Sequence, residues 1–311
     1  MYPDSYVPQR LVKYFRDGLV EQEHLGFVVS SGFEFGETFG YPFYLRSCAK
    51  PIQASLIVDY ALDFTEEEIA ICCASHAGEK CHVELAKRLL NKIGVDESKL
   101  RCGIHKPISK TALEEMIKNS EEPNVFQNNC VGKHIMMLAL CKKNGWDLDT
   151  YDQLEHPLQQ EIKNRIYDFC EIEEEDYPIT KDGCGVPICS MPLKNMLRGY
   201  LNLFTSEKYK KIREAFRNHP YIIGGEDRLD TKIMQGSDNL VAKVGAGGLC
   251  IVVNLEEADG ILVKILDCDM QAREITTLSM LKKMNWANIP FDHEVKTLHG
   301  DVLGEKKFVG I

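Results

Sequence analysis

The 311-residue chain has no uninterrupted apolar run long enough to cross a bilayer. Its opening stretch, MYPDSYVPQRLVKYFRDG, has no apolar h-region and no small-residue cleavage site. The expectation is a cytoplasmic protein with no membrane partner. Positive charge is in deficit, with 37 Lys and Arg against 47 Asp and Glu, a net charge of -10 and a pI near 5.5. Such a surface repels phosphate backbones, so nucleic acid is not expected as a partner. Internal repeats, low-complexity tracts and Pro- or Ser-rich linkers are missing too, which points to one domain over 1–311. The richest glycine cluster, Gly245, Gly247 and Gly248, has no Gly-Lys-Ser/Thr ending and is not a phosphate loop. No Cys-x-x-Cys pair is present, which excludes a zinc ribbon.

What the chain does have is 12 cysteines, with 44% hydrophobic and 27% charged residues. The last two values are ordinary for a globular protein with an ample core. Without an export signal the thiols are expected to be reduced, and either buried or bound to metal. About three quarters of them are accounted for as small core hydrophobes.

Apolar periodicity divides the chain into three parts. A strand-like run covers Leu25–Ser30, and an apolar helical pattern runs from about Pro51 to Leu62. Helical spacing then dominates a subregion of roughly 79–220, over Glu79–Ile93, Thr111–Lys118, Val131–Lys143, Leu154–Phe169, Pro192–Leu203 and Ser206–Arg217. The last third holds β-branched runs at Leu240–Val244, Leu249–Asn254 and Gly260–Leu266, then a helix over Met270–Met284. Early and late strands with helices between them predict an α/β (α+β) sandwich. Its N- and C-terminal strands share one sheet, and the helices form a separate layer.

Several short blocks carry candidate chemistry. In Arg46-Ser-Cys-Ala-Lys50-Pro-Ile-Gln, one helical turn places Ser47 and Lys50 on one face. Pro51 belongs in a first helical turn, so Ser47 lies at or just before a helix N-terminus, where negative charge is favoured. A desolvated lysine can lose its proton near neutral pH and activate a serine. Ser-x-x-Lys alone is a weak signal: Ser279-Met-Leu-Lys282 also matches, and there a solvated helix face suffices. Ser75, in Cys72-Cys-Ala-Ser-His-Ala-Gly-Glu79, is either a helix cap or a second site hydroxyl. Asn128-Asn-Cys130-Val-Gly-Lys133-His134 and Asp182-Gly-Cys184-Gly-Val-Pro187 bring two thiols, a lysine and a turn aspartate, which spacing alone does not make a metal site. Lys264 lies inside an apolar strand, where it either reaches a polar site or alternates onto a solvated face.

Together these blocks resemble the asparaginase family typified by the inducible rhizobial enzyme, which is separate from the threonine-based bacterial asparaginases. The matching stretches are Arg46–Gln53, Ala74–Glu79, Asn129–His134, Asp182–Pro187 and Gly260–Lys264. They occur in the family's order and span nearly the whole chain. The resemblance implies a fold like serine β-lactamases and bacterial glutaminases, and hydrolysis of L-asparagine to L-aspartate and ammonia. It implies a homodimer. It places the catalytic groups on Ser47, Lys50, Ser75 and Lys264, with Lys264 and Ser75 keeping Lys50 partly neutral. It places substrate contacts on Arg46, His134 and Asp182, and a zinc ion on Cys130, Lys133 and Cys184. Two departures stand out: Cys48 where Ser or Ala is expected, and Gly-Ala-Gly-Gly at 245–248 where Gly-Ala-Glu-Gly is usual. Two alternatives remain: hydrolysis of another amide (glutamine, a D-amide or a lactam), and a non-catalytic zinc or thiol protein on the same fold.

Overall fold

The computed structural model describes residues 5–173 and 177–310. Residues 1–4 of the opening stretch read above for an export signal lie outside these. The strands are β1 (Gln9–Arg16), β2 (Leu19–Ser30), β3 (Glu34–Phe35), β4 (Phe43–Tyr44), β5 (Ile179–Lys181), β6 (Pro187–Met191), β7 (Leu240–Gly245), β8 (Leu249–Asn254), β9 (Asp259–Ile265), β10 (Glu294–Lys296) and β11 (Val302–Phe308). The helices are α1 (Lys50–Asp59), α2 (Glu66–Cys73), α3 (Lys80–Ile93), α4 (Lys110–Lys118), α5 (Val131–Asn144), α6 (Pro157–Cys170), α7 (Leu193–Phe204), α8 (Lys210–Asn218), α9 (Pro220–Ile223), α10 (Leu229–Gln235) and α11 (Met270–Lys283).

The main sheet is antiparallel, in the order β10-β11-β1-β2-β9-β8-β7, with β3 also paired to β2. N- and C-terminal segments interleave: Gly26 faces Ile265, and Val12 faces Phe308. Every residue of β7 and β8 is buried, as are all but the first of β9. These apolar runs are continuous because both faces of the sheet are covered, and α7 and α11 pack on it. A small second sheet, β4-β6-β5, lies beside the helices.

The helical layer runs from Lys50 to Gln235, wider than 79–220. Two of its helices are apolar on all sides, the mark of a central position. These are α1, buried from Lys50 to Ile57, and α5, buried from Val131 to Cys141. Amphipathic helices such as α3 and α7 form the outside. Gly132 sets how closely α5 meets α2, because a Cβ there would fall 2.0 Å from the Ile71 carbonyl oxygen. Left-handed glycines end α3 and α5, at Gly94 and Gly145. The charged strands β1, β10 and β11 and the short α2 add to the elements that apolar periodicity marks. All 12 thiols are free, and only Cys81 and Cys268 are exposed. No helix among the described residues is long and apolar enough to cross a membrane.

Candidate active site

Both central helices begin in the interior, and the sequence blocks converge there. Arg46–Ala49 forms a 3-10 turn that runs straight into α1. In such a turn residues i and i+3 eclipse, so Ser47 lies directly below Lys50. No side chain caps this N-terminus. Arg46 has a left-handed backbone, φ 50°, a conformation that costs a non-glycine residue about 1–2 kcal/mol. Its Nε donates to Asp182 Oδ1 at 2.8 Å, which holds the residue in place. Burial works against charge on Asp182, but Lys133 and Arg46 outweigh it and keep the carboxyl below the usual range.

Lys50 is 1% exposed. Its Nζ donates to the carbonyls of Ala74 at 2.6 Å and Asn129 at 2.8 Å, and lies 3.0 Å from Ser75 Oγ. Ala74 ends α2, and Asn129 precedes α5, so the close α2–α5 crossing at Gly132 brings both acceptors to one amine. Burial pushes Lys50 down to about 8; the Cys130 thiol opposes this, and Lys133 and Lys243 reinforce it. A neutral amine has two N–H groups and one lone pair. Two carbonyls take the N–H groups, so the lone pair is left for the Ser75 hydroxyl. Ser75 is itself buried, and its N–H donates to the Ile223 carbonyl at 3.0 Å. Ser47 is half-buried, and its hydroxyl makes no hydrogen bond among the described residues.

Cys130, Lys133 and Cys184 form a second buried cluster. Lys133 Nζ donates to Cys184 Sγ at 3.1 Å. Contact with the Cys184 thiol brings Cys130 well below the ordinary thiol value, against burial and with help from Lys50 and Lys133. Burial alone would lower Lys133, but the two thiols and Asp182 raise it overall. One residue along α5, His134 Nδ1 lies 2.7 Å from the Tyr151 hydroxyl. That hydroxyl also accepts from the Arg101 N–H. His134 Nε2 is buried without a partner.

Lys264 does not join this centre. It faces the same side of the sheet as Lys243, but its Nζ donates to the Gly247 and Ile265 carbonyls at 2.6 and 2.9 Å, over the Phe43 ring. It braces the β7–β8 turn. The strand lysine that presses on Lys50 is Lys243, fully buried on β7. Its Nζ reaches Asp230 Oδ2 at 3.4 Å and donates to the Val244 carbonyl at 2.7 Å. Lys264 is not among the charges that act on Lys50. A Lys inside an apolar strand was the right signal, and Lys243 carries it too, two residues before Gly245. Among the described residues Glu79, Cys81 and His82 also cluster. There Glu79 is held by the Glu226 N–H and the Tyr221 hydroxyl, and both His82 ring nitrogens are hydrogen-bonded, so these groups close a loop.

The profile of the family described as L-asparaginase II matches residues 12–310. The chain belongs to that family. The L-asparaginase II family is one of amidohydrolases, so the chain is an amidohydrolase. No curated protein sequence matches the chain. Among solved structures, a chain assigned to the beta-lactamases from Bacteroides dorei DSM 17855 aligns with 12% identity and a TM-score of 0.41, over 84% of this chain and 86% of that one. A beta-lactamase from Mycobacterium bovis aligns with 11% identity and a TM-score of 0.40, over 91% and 96%.

Proposed function

We propose that this L-asparaginase II family member hydrolyses L-asparagine to L-aspartate and ammonia through a lysine-activated serine. The observation that carries the reading is the Lys50 amine, buried between two carbonyls with Ser75 Oγ at 3.0 Å. Ser47 is the attacking hydroxyl, the more accessible of the two and one turn below Lys50. Its proton passes by way of Ser75 to Lys50. The N-terminus of the 3-10 turn, which no side chain caps, favours the developing oxyanion. Attack on the side-chain amide carbon expels ammonia, which takes its proton from the Lys50–Ser75 pair. Water then cleaves the acyl-enzyme by the same relay in reverse. Arg46, His134 and Asp182 orient the substrate.

Zinc is proposed at Cys130, Cys184 and Lys133. Two buried thiols and an amine in contact form a donor set that Zn²⁺ accepts once they give up their protons, Lys133 included. A bound ion would brace the start of α5 against the 182–185 turn and supply a Lewis acid. A homodimer in the cytoplasm is the accompanying proposal, testable by sedimentation and fractionation.

The test is ammonia release from L-asparagine and L-glutamine, with the wild type beside Ser47→Ala. Asparagine-selective release that vanishes in the variant supports the reading. Release from glutamine alone moves the substrate. Release from neither, by folded and zinc-loaded protein, favours a non-catalytic zinc protein.

A further inference from the structure

A cleft of about 430 Å³ opens beside the centre. Its walls are the outer ends of the segments that carry the catalytic groups. Ala77 lies two residues beyond Ser75, and its carbonyl accepts the N–H groups of Ile108 and Ser109 at 2.8 and 2.9 Å. Leu229 precedes Asp230, the partner of Lys243. From α11, Arg273 donates through Nη1 to the Gly245 carbonyl at 3.2 Å, two residues beyond Lys243.

Two guanidinium groups line this cleft and are incompletely satisfied. Arg273 is only 8% exposed, and its Nε is buried without a partner. The Nε of Arg228 is buried without a partner as well. Among the described residues neither arginine forms an ion pair. Asp230 feels both positive charges, which against burial help Lys243 keep its carboxyl ionised, but no hydrogen bond joins it to either arginine: its Oδ2 takes the Val244 N–H and faces Lys243. Of the acids lining the cleft, Glu274 is held by Lys232 at 3.1 Å, while Glu226 and Asp227 lie exposed at the mouth. A buried guanidinium left with free N–H groups is costly, and its planar fork matches a carboxylate.

We propose that this cleft is a subsite for a free amino acid, in which Arg228 and Arg273 hold its carboxylate while Glu226 and Asp227 face its ammonium group. Two sources offer this chemistry. One is the α-carboxylate of the substrate itself, an assignment that rests on the asparaginase reading. The other is a second amino-acid molecule bound as an effector. The occupant reaches the catalytic strand through Arg273, which also holds the Gly245 carbonyl, and through Leu229, the neighbour of Asp230.

The experiment titrates L-aspartate into the wild type, Arg228→Gln and Arg273→Lys by calorimetry, with circular dichroism as a check on folding. Arg228 lies on a loop, so its variant keeps the test alive if Arg273→Lys unfolds. The expected result is binding to the wild type that weakens about tenfold to a hundredfold in either folded variant. Inhibition kinetics on the wild type separate the sources. L-Aspartate that competes with L-asparagine, together with a raised KM in Arg228→Gln, identifies the substrate's own carboxylate. L-Aspartate that changes kcat rather than KM identifies an effector. Wild-type affinity in Arg228→Gln, or no binding of millimolar L-aspartate to the wild type, overturns the proposal. Failure of the asparaginase reading would show separately, as no ammonia from L-asparagine, because calorimetry does not depend on turnover.

Discussion

The amine of Lys50 stands 3.0 Å from the hydroxyl of Ser75, and the two backbone carbonyls beside it leave no other acceptor role for that lone pair. Catalysis through it needs the neutral amine. With Lys50 at about 8, kcat/KM is expected to rise with pH and level off above that value. At pH 7 it should be about tenfold below the plateau. A pH–rate profile flat from 6 to 9 would remove Lys50 from the role of base.

Lys50→Met should abolish turnover without lowering stability at pH 7. A lysine whose folded pKa lies below its unfolded one destabilises the fold once the unfolded chain holds the proton. Here that cost begins as pH falls through 10.5 and is complete below about 8. It is on the order of 3 kcal/mol, against which the variant forfeits the hydrogen bonds to Ala74 and Asn129. Melting temperatures at pH 7 and pH 11 check this: any gain seen at pH 7 should shrink at pH 11.

Ser47→Ala and Ser75→Ala should both lower kcat by at least about a hundredfold. They differ in what they leave. Ser75→Ala retains the attacking hydroxyl and should still accumulate some acyl-enzyme, detectable by mass spectrometry, whereas Ser47→Ala should show none. An adduct on Ser75 would reverse the assignment of the two serines.

Lys243→Met and Lys264→Met separate the two strand lysines. Without the Lys243 charge, Lys50 should hold its proton more tightly, so the acid limb of the pH profile moves upward. Lys264→Met should leave that limb in place and lower the melting temperature, since its ammonium ties the β7–β8 turn. Equal shifts of the acid limb in both variants would contradict the division of roles.

Zinc content by elemental analysis should be about one ion per chain, and Cys130→Ser or Cys184→Ser should lose it. Metal retained by both variants would place the ion elsewhere.

The site was more legible than the sheet. Four short blocks hold Ser47, Lys50, Ser75, Cys130, Lys133, Cys184, Arg46 and Asp182 at turns or helix starts, and the family resemblance picks them out as a set. Strand alternation does not say which of two lysines in nearby apolar strands reaches the centre, so the sequence points to Lys264 as readily as to Lys243. Lys243 is identified only by its Asp230 partner, 13 residues upstream on another element. Strands β1 and β11 escaped notice because their alternating residues are charged and solvated, as in QRLVKYFR and VLGEKKF. Only long-range pairing makes strands of them. The helix α2 was hidden by its three glutamates, which form its first turn beside the Thr65–Glu68 capping box.

The pairing of Gly26 with Ile265 has a consequence for how the molecule is made. Strand β2 leaves the ribosome more than two hundred residues before its neighbour β9. The helices α1 and α5, which begin at Lys50 and just after Cys130, depend on nearer partners and can assemble first. Loop closure over that distance slows the final step. For the interval between, the apolar surface meant for β7–β9 is bare, and nascent chains should depend on chaperones most heavily just before residue 265 emerges.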